Sequence, residues 1–286
     1  MNRRNAIGLG ACVSALALCP AWAQSSNTLS FVVPYPPGGA SDVFARLVSP
    51  GLGKALQRNV IVENISGASG SIGAMKVLGA RSPSDSLFMA SPTDVVLAPL
   101  LLKSARYTPE DFVLLGILDK APLTLFVRKD LSVNTVDEFI ALAQRSRDKP
   151  LSFGTTGPGS FYHLVIESLQ RSAGFTASHV PYRGGSPMMM DLIAGNIDFA
   201  MMAASTTFGG MAQSGKIKAI GVAGNARSAR LPHVPAFSES KAAAGFSAPE
   251  MWAGVMAPRK TPPAELQRLQ AALAEVLAQA DVRKAL

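Results

Sequence analysis

The sequence Leu29-Ser30-Phe31-Val32-Val33-Pro34-Tyr35-Pro36-Pro37-Gly38-Gly39-Ala40-Ser41-Asp42 passes from a short apolar run, through prolines and glycines, into a segment with apolar residues at helical spacing. Residues 29–33 suit a buried strand and residues 42–48 a helix. Glycines let the backbone turn between them without a Cβ, and the helix then presents amide hydrogens that have no partner within it. Together with the helix dipole, those donors make a receptor for an anion at the carboxyl end of the strand.

Outward from this unit the pattern repeats. Strand-like runs follow at 60–62, 87–89, 113–118, 123–127, 151–153, 179–180, 197–201 and 217–222. Helical patterns fill 71–79, 136–146, 160–173 and 187–194. A last helix opens at Thr261-Pro262-Pro263-Ala264-Glu265, with Leu266, Leu269, Leu273, Val276 and Leu277 as its apolar stripe. The alternation predicts an α/β fold with mostly parallel sheets covered on both faces. Two places break it. Strands 113–118 and 123–127 are separated only by Asp119-Lys120-Ala121-Pro122, and after Val222 a proline-rich stretch precedes a new run at 252–256. Two crossings between lobes would account for both. The expected arrangement has residues 24–120 and 224–286 in a first lobe, 121–223 in a second, and a ligand cleft between them.

The beginning of the chain reads as an address. Arg3 and Arg4 precede an apolar run over 6–18, and Pro20-Ala21-Trp22-Ala23 places small residues at the −3 and −1 positions of a cleavage site. That layout predicts a secretory leader over residues 1–23 and a periplasmic protein of 263 residues. Cys12 and Cys19 are the only cysteines. Leu18 before Cys19 is not the small residue that lipid attachment needs, so the exported chain is expected to hold no disulfide and no thiolate. The net charge of +8 falls to +6 once Arg3 and Arg4 are removed, a mild bias toward anionic small molecules. No basic stripe interleaved with aromatics points to nucleic acid, and no later apolar run is long enough for a bilayer span.

Three further glycine-rich loops share the logic of the first: Gly67-Ala68-Ser69-Gly70-Ser71, Gly154-Thr155-Thr156-Gly157-Pro158-Gly159-Ser160 and Pro181-Tyr182-Arg183-Gly184-Gly185. Thr156 and Ser160 add hydroxyls, and Arg183 is placed either to pair with a carboxylate or to sit exposed at a lobe edge. Asp198, in Gly195-Asn196-Ile197-Asp198, faces the cleft or holds the start of a strand; the residues alone leave both open. Ser160 and His163 fall three apart on one helix, an arrangement that suggests a hydrolase. No G-x-S-x-G elbow and no orienting acid accompany them, so catalysis is not expected. His163, His179 and His233 match no metal spacing, and neither metal nor cofactor is expected.

Several of these stretches occur together, and in order, in one known family. Val32-Val33-Pro34-Tyr35-Pro36-Pro37-Gly38-Gly39-Ala40-Ser41-Asp42-Val43 resembles the opening signature of the Bug/TctC solute-binding proteins. Val62-Glu63-Asn64, Gly157-Pro158-Gly159-Ser160 with His163-Leu164 and Glu167, His179-Val180-Pro181-Tyr182-Arg183-Gly184-Gly185, Leu192 to Asp198, Arg230-Leu231-Pro232 and Trp252-Ala253-Gly254 follow, so the resemblance spans nearly all of the exported chain. It implies a type II periplasmic-binding fold, with two α/β lobes that close on a small carboxylate or its amide. The implied partners are the membrane permease subunits of a tripartite tricarboxylate transporter or, alternatively, a sensor kinase, with the receptor a monomer. Carried over by motif, Pro37, Gly38, Gly39 and Asp42 line the first-lobe side. Thr156, Gly157, Ser160 and His163 line the second, with Tyr182, Arg183 and Asp198 nearby. The chain departs from the family pattern at Ile65-Ser66 and Asp85-Ser86. Pro50-Gly51 would interrupt the first helix, and the chain ends before the further helix expected on the first lobe.

Overall fold

The structure, a computed structural model, describes residues 27–204 and 206–286. The leader expected over 1–23 lies outside the described residues, as do Cys12 and Cys19. Ten strands form two five-stranded sheets among the described residues. The first sheet has the order β2-β1-β3-β10-β4, from β1 (Thr28–Val33), β2 (Asn59–Asn64), β3 (Ser86–Ala90), β4 (Phe112–Ala121) and β10 (Met251–Pro258). The second has the order β7-β6-β8-β5-β9, from β5 (Leu123–Arg128), β6 (Leu151–Thr155), β7 (Ala177–Pro181), β8 (Phe199–Ala203) and β9 (Ile217–Val222). Helices α1 (Ala40–Leu56), α2 (Ser71–Leu78), α3 (Ala98–Leu101), α8 (Pro263–Ala278) and α9 (Ala280–Ala285) accompany the first sheet. Helices α4 (Val136–Arg145), α5 (Phe161–Ala173), α6 (Gly185–Ala194) and α7 (Thr206–Gln213) accompany the second. No helix among the described residues is long and apolar enough to cross a membrane.

Four of the five strands in each sheet run in one direction, as the alternation predicts, and one strand in each is reversed. β1 runs parallel to β2 and β3, and β6 to β7 and β8, but β10 is antiparallel to β3 and β4, and β5 to β8 and β9. The cause is the crossing itself. β4 leaves the first sheet and only Pro122 separates it from β5 in the second; the chain returns from β9 to β10. A strand arriving from the other lobe enters at the cleft end of the sheet and runs away from it, opposite to strands that finish there. β5 and β10 are those two arrivals.

Alternation along the strands builds the core. Leu29, Phe31 and Val33 of β1 and Leu87 and Met89 of β3 bury against α1 and α8, whereas Val32, Phe88 and Ala90 face the α2 side. In the second lobe Phe126, Phe139, Phe153 and Phe199 lie in one fully buried cluster. The helix α1 passes straight through Pro50, contrary to the expected interruption. Pro50 and Arg46, whose carbonyl the proline leaves without its helical donor, are both exposed residues on the outer face of the helix. Gly51 faces α8 so closely that a Cβ there would come 2.8 Å from Val276 Cγ2. The last helical turn α9 buries Val282, and Arg230 donates to the Leu286 carbonyl at 2.7 Å.

Candidate functional site

The loops after β1, β2, β3, β6 and β7 converge where the two sheets face each other. Three hydrogen bonds join the lobes there. Ser69 Oγ donates to the Pro158 carbonyl at 2.9 Å, the Phe161 amide to Thr93 Oγ1 at 3.1 Å, and Ser186 Oγ to the Pro37 carbonyl at 3.3 Å. At Gly184 a Cβ would stand 2.5 Å from Pro36 Cδ, so this close approach of the two loops requires glycine. The cleft is therefore described in a closed arrangement.

Two cavities share Tyr35 and Thr156 as walls. The larger, about 550 Å³, is bounded by the 66–70 loop, Thr156 to Pro158, Tyr182 and Arg183. The smaller, about 60 Å³, lies between Gly39–Ser41 at the start of α1 and a wall of Tyr162, Met202, Phe208 and Met251. Gly39 is the N-cap of α1 and supplies no side chain to its first-turn amides, so these are donors for a ligand. In the larger cavity Ala68 and Ser69 are held at φ of 45° and 52°, between Gly67 and Gly70 at 131° and 90°. Non-glycine residues in this region cost roughly 1 kcal/mol or more each. Thr156 Oγ1 is buried without a hydrogen-bond partner among the described residues, although such a hydroxyl ordinarily has one.

Behind Tyr35 lies a fully buried acid. Asp94 accepts from the Ser91 amide at 2.8 Å, Ser91 Oγ at 2.5 Å and Tyr35 OH at 3.1 Å, and the Tyr107 hydroxyl donates to its backbone carbonyl. Burial pushes the Asp94 carboxyl up to about 7, against the opposing pull of the Ser91 donors. Burial first, and Asp94 second, hold Tyr35 well above the ordinary tyrosine value. Tyr35 is thus locked as a neutral ring with its hydroxyl turned to Asp94.

Of the residues named from sequence, Gly39, Thr156, Gly157, Tyr182 and Arg183 line the cavities. Pro37 and Gly38 form the lobe-to-lobe contact beside them: Pro37 accepts from Ser186, and the Gly38 amide donates to Asp42 at 2.9 Å. Asp42 itself stands behind the loop, its carboxylate taken up by Gly38, by Arg46 Nε at 3.0 Å and by Asn64 Nδ2 at 2.9 Å. Ser160 caps α5 by accepting from the His163 amide at 3.3 Å, and His163 Nδ1 accepts from the Gly159 amide at 3.0 Å. The His163 ring stacks on His179 with centroids 4.1 Å apart, and neither Ser160 nor His163 lines either cavity. Asp198 lies at the far end of β6 from Thr156, holding Ser152 N at 2.7 Å and Arg128 Nε at 2.9 Å. Sequence reasoning missed Tyr35, Ser66, Tyr162, Met202, Phe208 and Met251. The 67–70 loop carried the same glycine signal as its neighbours but was not taken to individual residues.

Two α/β lobes that close by strand-end loops on a cleft with hydroxyl and amide donors define a type II periplasmic solute-binding protein. Residues 44–286 match the tripartite tricarboxylate transporter family receptor, TctC, and the chain belongs to that family. A protein from the tcbD–tcbE intergenic region of Pseudomonas sp. strain P51 is 33% identical over 263 residues, 91% of this chain and 77% of that one. MatC from Rhodopseudomonas palustris with bound malate superposes with a TM-score of 0.83 at 29% identity, covering 91% of this chain and 87% of its own. An R. palustris protein with adipate gives 0.81 at 28% identity, covering 89% and 84%.

Proposed function

We propose that this chain is exported by residues 1–23 and captures a small carboxylate in the periplasm for the membrane subunits of a tripartite tricarboxylate transporter. Residues 24–120 with 224–286 and residues 121–223 act as the two closing lobes, in a monomer. The ligand sits between Gly39 and Thr156, with Gly157, Tyr182 and Arg183 around it. Pro37, Gly38, Asp42, Ser160 and His163 shape the loops, and Asp198 braces the second lobe from its far end. Relatives that hold malate and adipate support a carboxylate as ligand. The role is capture and release without turnover: Ser160 Oγ is buried and already accepts a backbone amide.

The observation that carries this reading is the Thr156 hydroxyl, buried and unpaired on the wall common to both cavities. A buried hydroxyl without a partner costs stability, and a turn of the Thr156 side chain toward the cleft would let a carboxylate oxygen supply the missing acceptor. Calorimetric titration of the exported protein with small carboxylates is expected to show saturable binding. Thr156→Val, which keeps the shape and removes the donor, is expected to weaken it about 10- to 100-fold without loss of folded stability. Binding that prefers neutral solutes, or is indifferent to Thr156→Val, would overturn the proposal.

A further inference from the structure

Resting on the carboxylate-receptor reading, we infer that the stacked His163–His179 pair latches the 155–160 loop in the shape that closes the cleft, and that a proton on the pair opens the latch and releases the ligand. This loop carries much of the closure. Its Pro158 carbonyl accepts from Ser69 Oγ across the cleft, and the amide of Phe161, the next residue after it, donates to Thr93 Oγ1. Thr156, Gly157 and Pro158 also line the larger cavity. The loop turns at Gly157 and Gly159, with φ of 128° and 70°, and the two rings hold both glycines from outside the cavities. His163 Nδ1 accepts from the Gly159 amide at 3.0 Å. His179 Nε2 lies 2.6 Å from Thr155 Oγ1, which accepts from the Gly157 amide at 3.2 Å.

Only a ring nitrogen without a proton can accept. His163 therefore carries its ring proton on Nε2, which faces Glu167 Oε1 at 3.8 Å. An added proton has to go to Nδ1, where it meets the Gly159 N–H and leaves that amide without its acceptor. His179 offers no easier place. Its ring lies face to face with His163, centroids 4.1 Å apart, and with Phe153 at 5.0 Å. Burial, then the charge of His163, hold its pKa at about 4. Two cations at that spacing repel, so the pair titrates as a unit. Besides His163, the charged group that bears on His179 is Glu167 of α5. β6 presents Phe153 and Thr155 to the pair, and residues 155–160 carry no charge. The coupling is reciprocal: acid weakens ligand binding, and ligand binding expels the proton.

The test is calorimetric titration of the exported protein with small carboxylates, malate and adipate first, at pH 7.5 and pH 5.5 in buffers of different ionisation enthalpy. With the best-bound acid, the wild type is expected to bind about tenfold more weakly at the lower pH and to release protons on binding there. His163→Asn puts an amide oxygen where Nδ1 stood and cannot take up a proton. Whatever its affinity at pH 7.5, its ratio between the two pH values should fall short of the wild type's by about that factor. Titration of Asp94 and of the ligand is common to both proteins and cancels. Glu167 lines neither cavity; Glu167→Gln should leave binding at pH 7.5 within twofold and move the onset of release to lower pH, because it removes the charge that favours the proton. Equal ratios in wild type and His163→Asn, or a Gly159 amide resonance that ignores titration of the His163 ring, would overturn the inference and leave the carboxylate receptor standing. Failure of every carboxylate at pH 7.5 would bring down both.

Discussion

Two buried acids of the first lobe, Asp42 and Asp94, sit one on each side of Tyr35's loop and are held in opposite ways. Asp42 is surrounded by a guanidinium, an amide N–H and a side-chain amide. Burial alone would raise its pKa, but the hydrogen bonds of Arg46, then Gly38, then Asn64 carry it below the ordinary carboxylate value. Asp94 has only neutral donors, and burial wins. Asp42 is therefore a charged clamp that fixes the 36–39 turn. Asp94 is a carboxyl on the edge of neutrality that fixes the ring between the two cavities. The contrast has two sources: Asp94 lies deeper than Asp42, and only Asp42 has a cation among its partners.

The largest expected effect follows from removing Asp94. Asp94→Ala strands the Ser91 amide, the Ser91 hydroxyl and the Tyr35 hydroxyl in a dry interior, at roughly 1–3 kcal/mol for each unsatisfied group that water cannot reach. A total loss of about 3 kcal/mol in urea denaturation is expected, with weakened ligand binding as Tyr35 loosens. Asp94→Asn keeps an acceptor and the shape, and should lose less than half as much. A cost for Asp94→Ala near that of a surface substitution would break the comparison.

The second prediction is its pH dependence. For Asp94 the folded pKa, about 7, lies above the unfolded value, so its contribution is fully present below about pH 4 and is lost as pH rises through 7. Asp42 has the reverse sign: its lowered pKa stabilises above the ordinary carboxylate range and is lost as pH falls through the folded value. His179, lowered to about 4 by burial and then by His163, adds stability as pH rises toward 6.5 and so opposes Asp94. The informative quantity is the difference between wild type and Asp94→Asn, in which His179 and Asp42 cancel. Between pH 5 and 8 the wild type should lose on the order of 2 kcal/mol relative to the variant. A flat difference would mean that Asp94 is ionised throughout.

How much of this was legible in the sequence differs between the two acids. Asp42 is four residues from Arg46 and from Gly38, inside the turn that glycine spacing announces, so its place near the cleft could be read locally. Its commitment to Asn64, 22 residues away, could not. Asp94 meets Tyr35 across 59 residues of chain, and Ser91-Pro92-Thr93-Asp94 reads locally as no more than a helix start. Met202, Phe208 and Met251 have the composition of any core; only the pairing of β5 with β8 and the return through β10 bring them to one wall. The strand–helix alternation gave the α/β class and its two breaks the two lobes, but not the one reversed strand in each sheet, because strand direction is set by where each crossing enters.

The smallest effect sharpens the comparison from the Asp42 side. Arg46 is the cation that distinguishes the two acids, yet its side chain is 53% exposed and it lies one helical turn from Asp42. An exposed pair at this spacing contributes little, about 0.5 kcal/mol, and less in high salt. Arg46→Ala leaves Gly38 and Asn64 as donors to Asp42, so denaturation at pH 7 should show a loss of that size, shrinking further in 1 M salt. The acid limb is where the substitution should be visible. Without Arg46 the lowering forces on Asp42 weaken while burial persists, so the fall in stability on acidification should begin at higher pH than in wild type. If that limb does not move, the backbone and amide donors alone keep Asp42 charged. The difference from Asp94 would then lie in depth of burial and hydrogen-bond geometry and not in the cation.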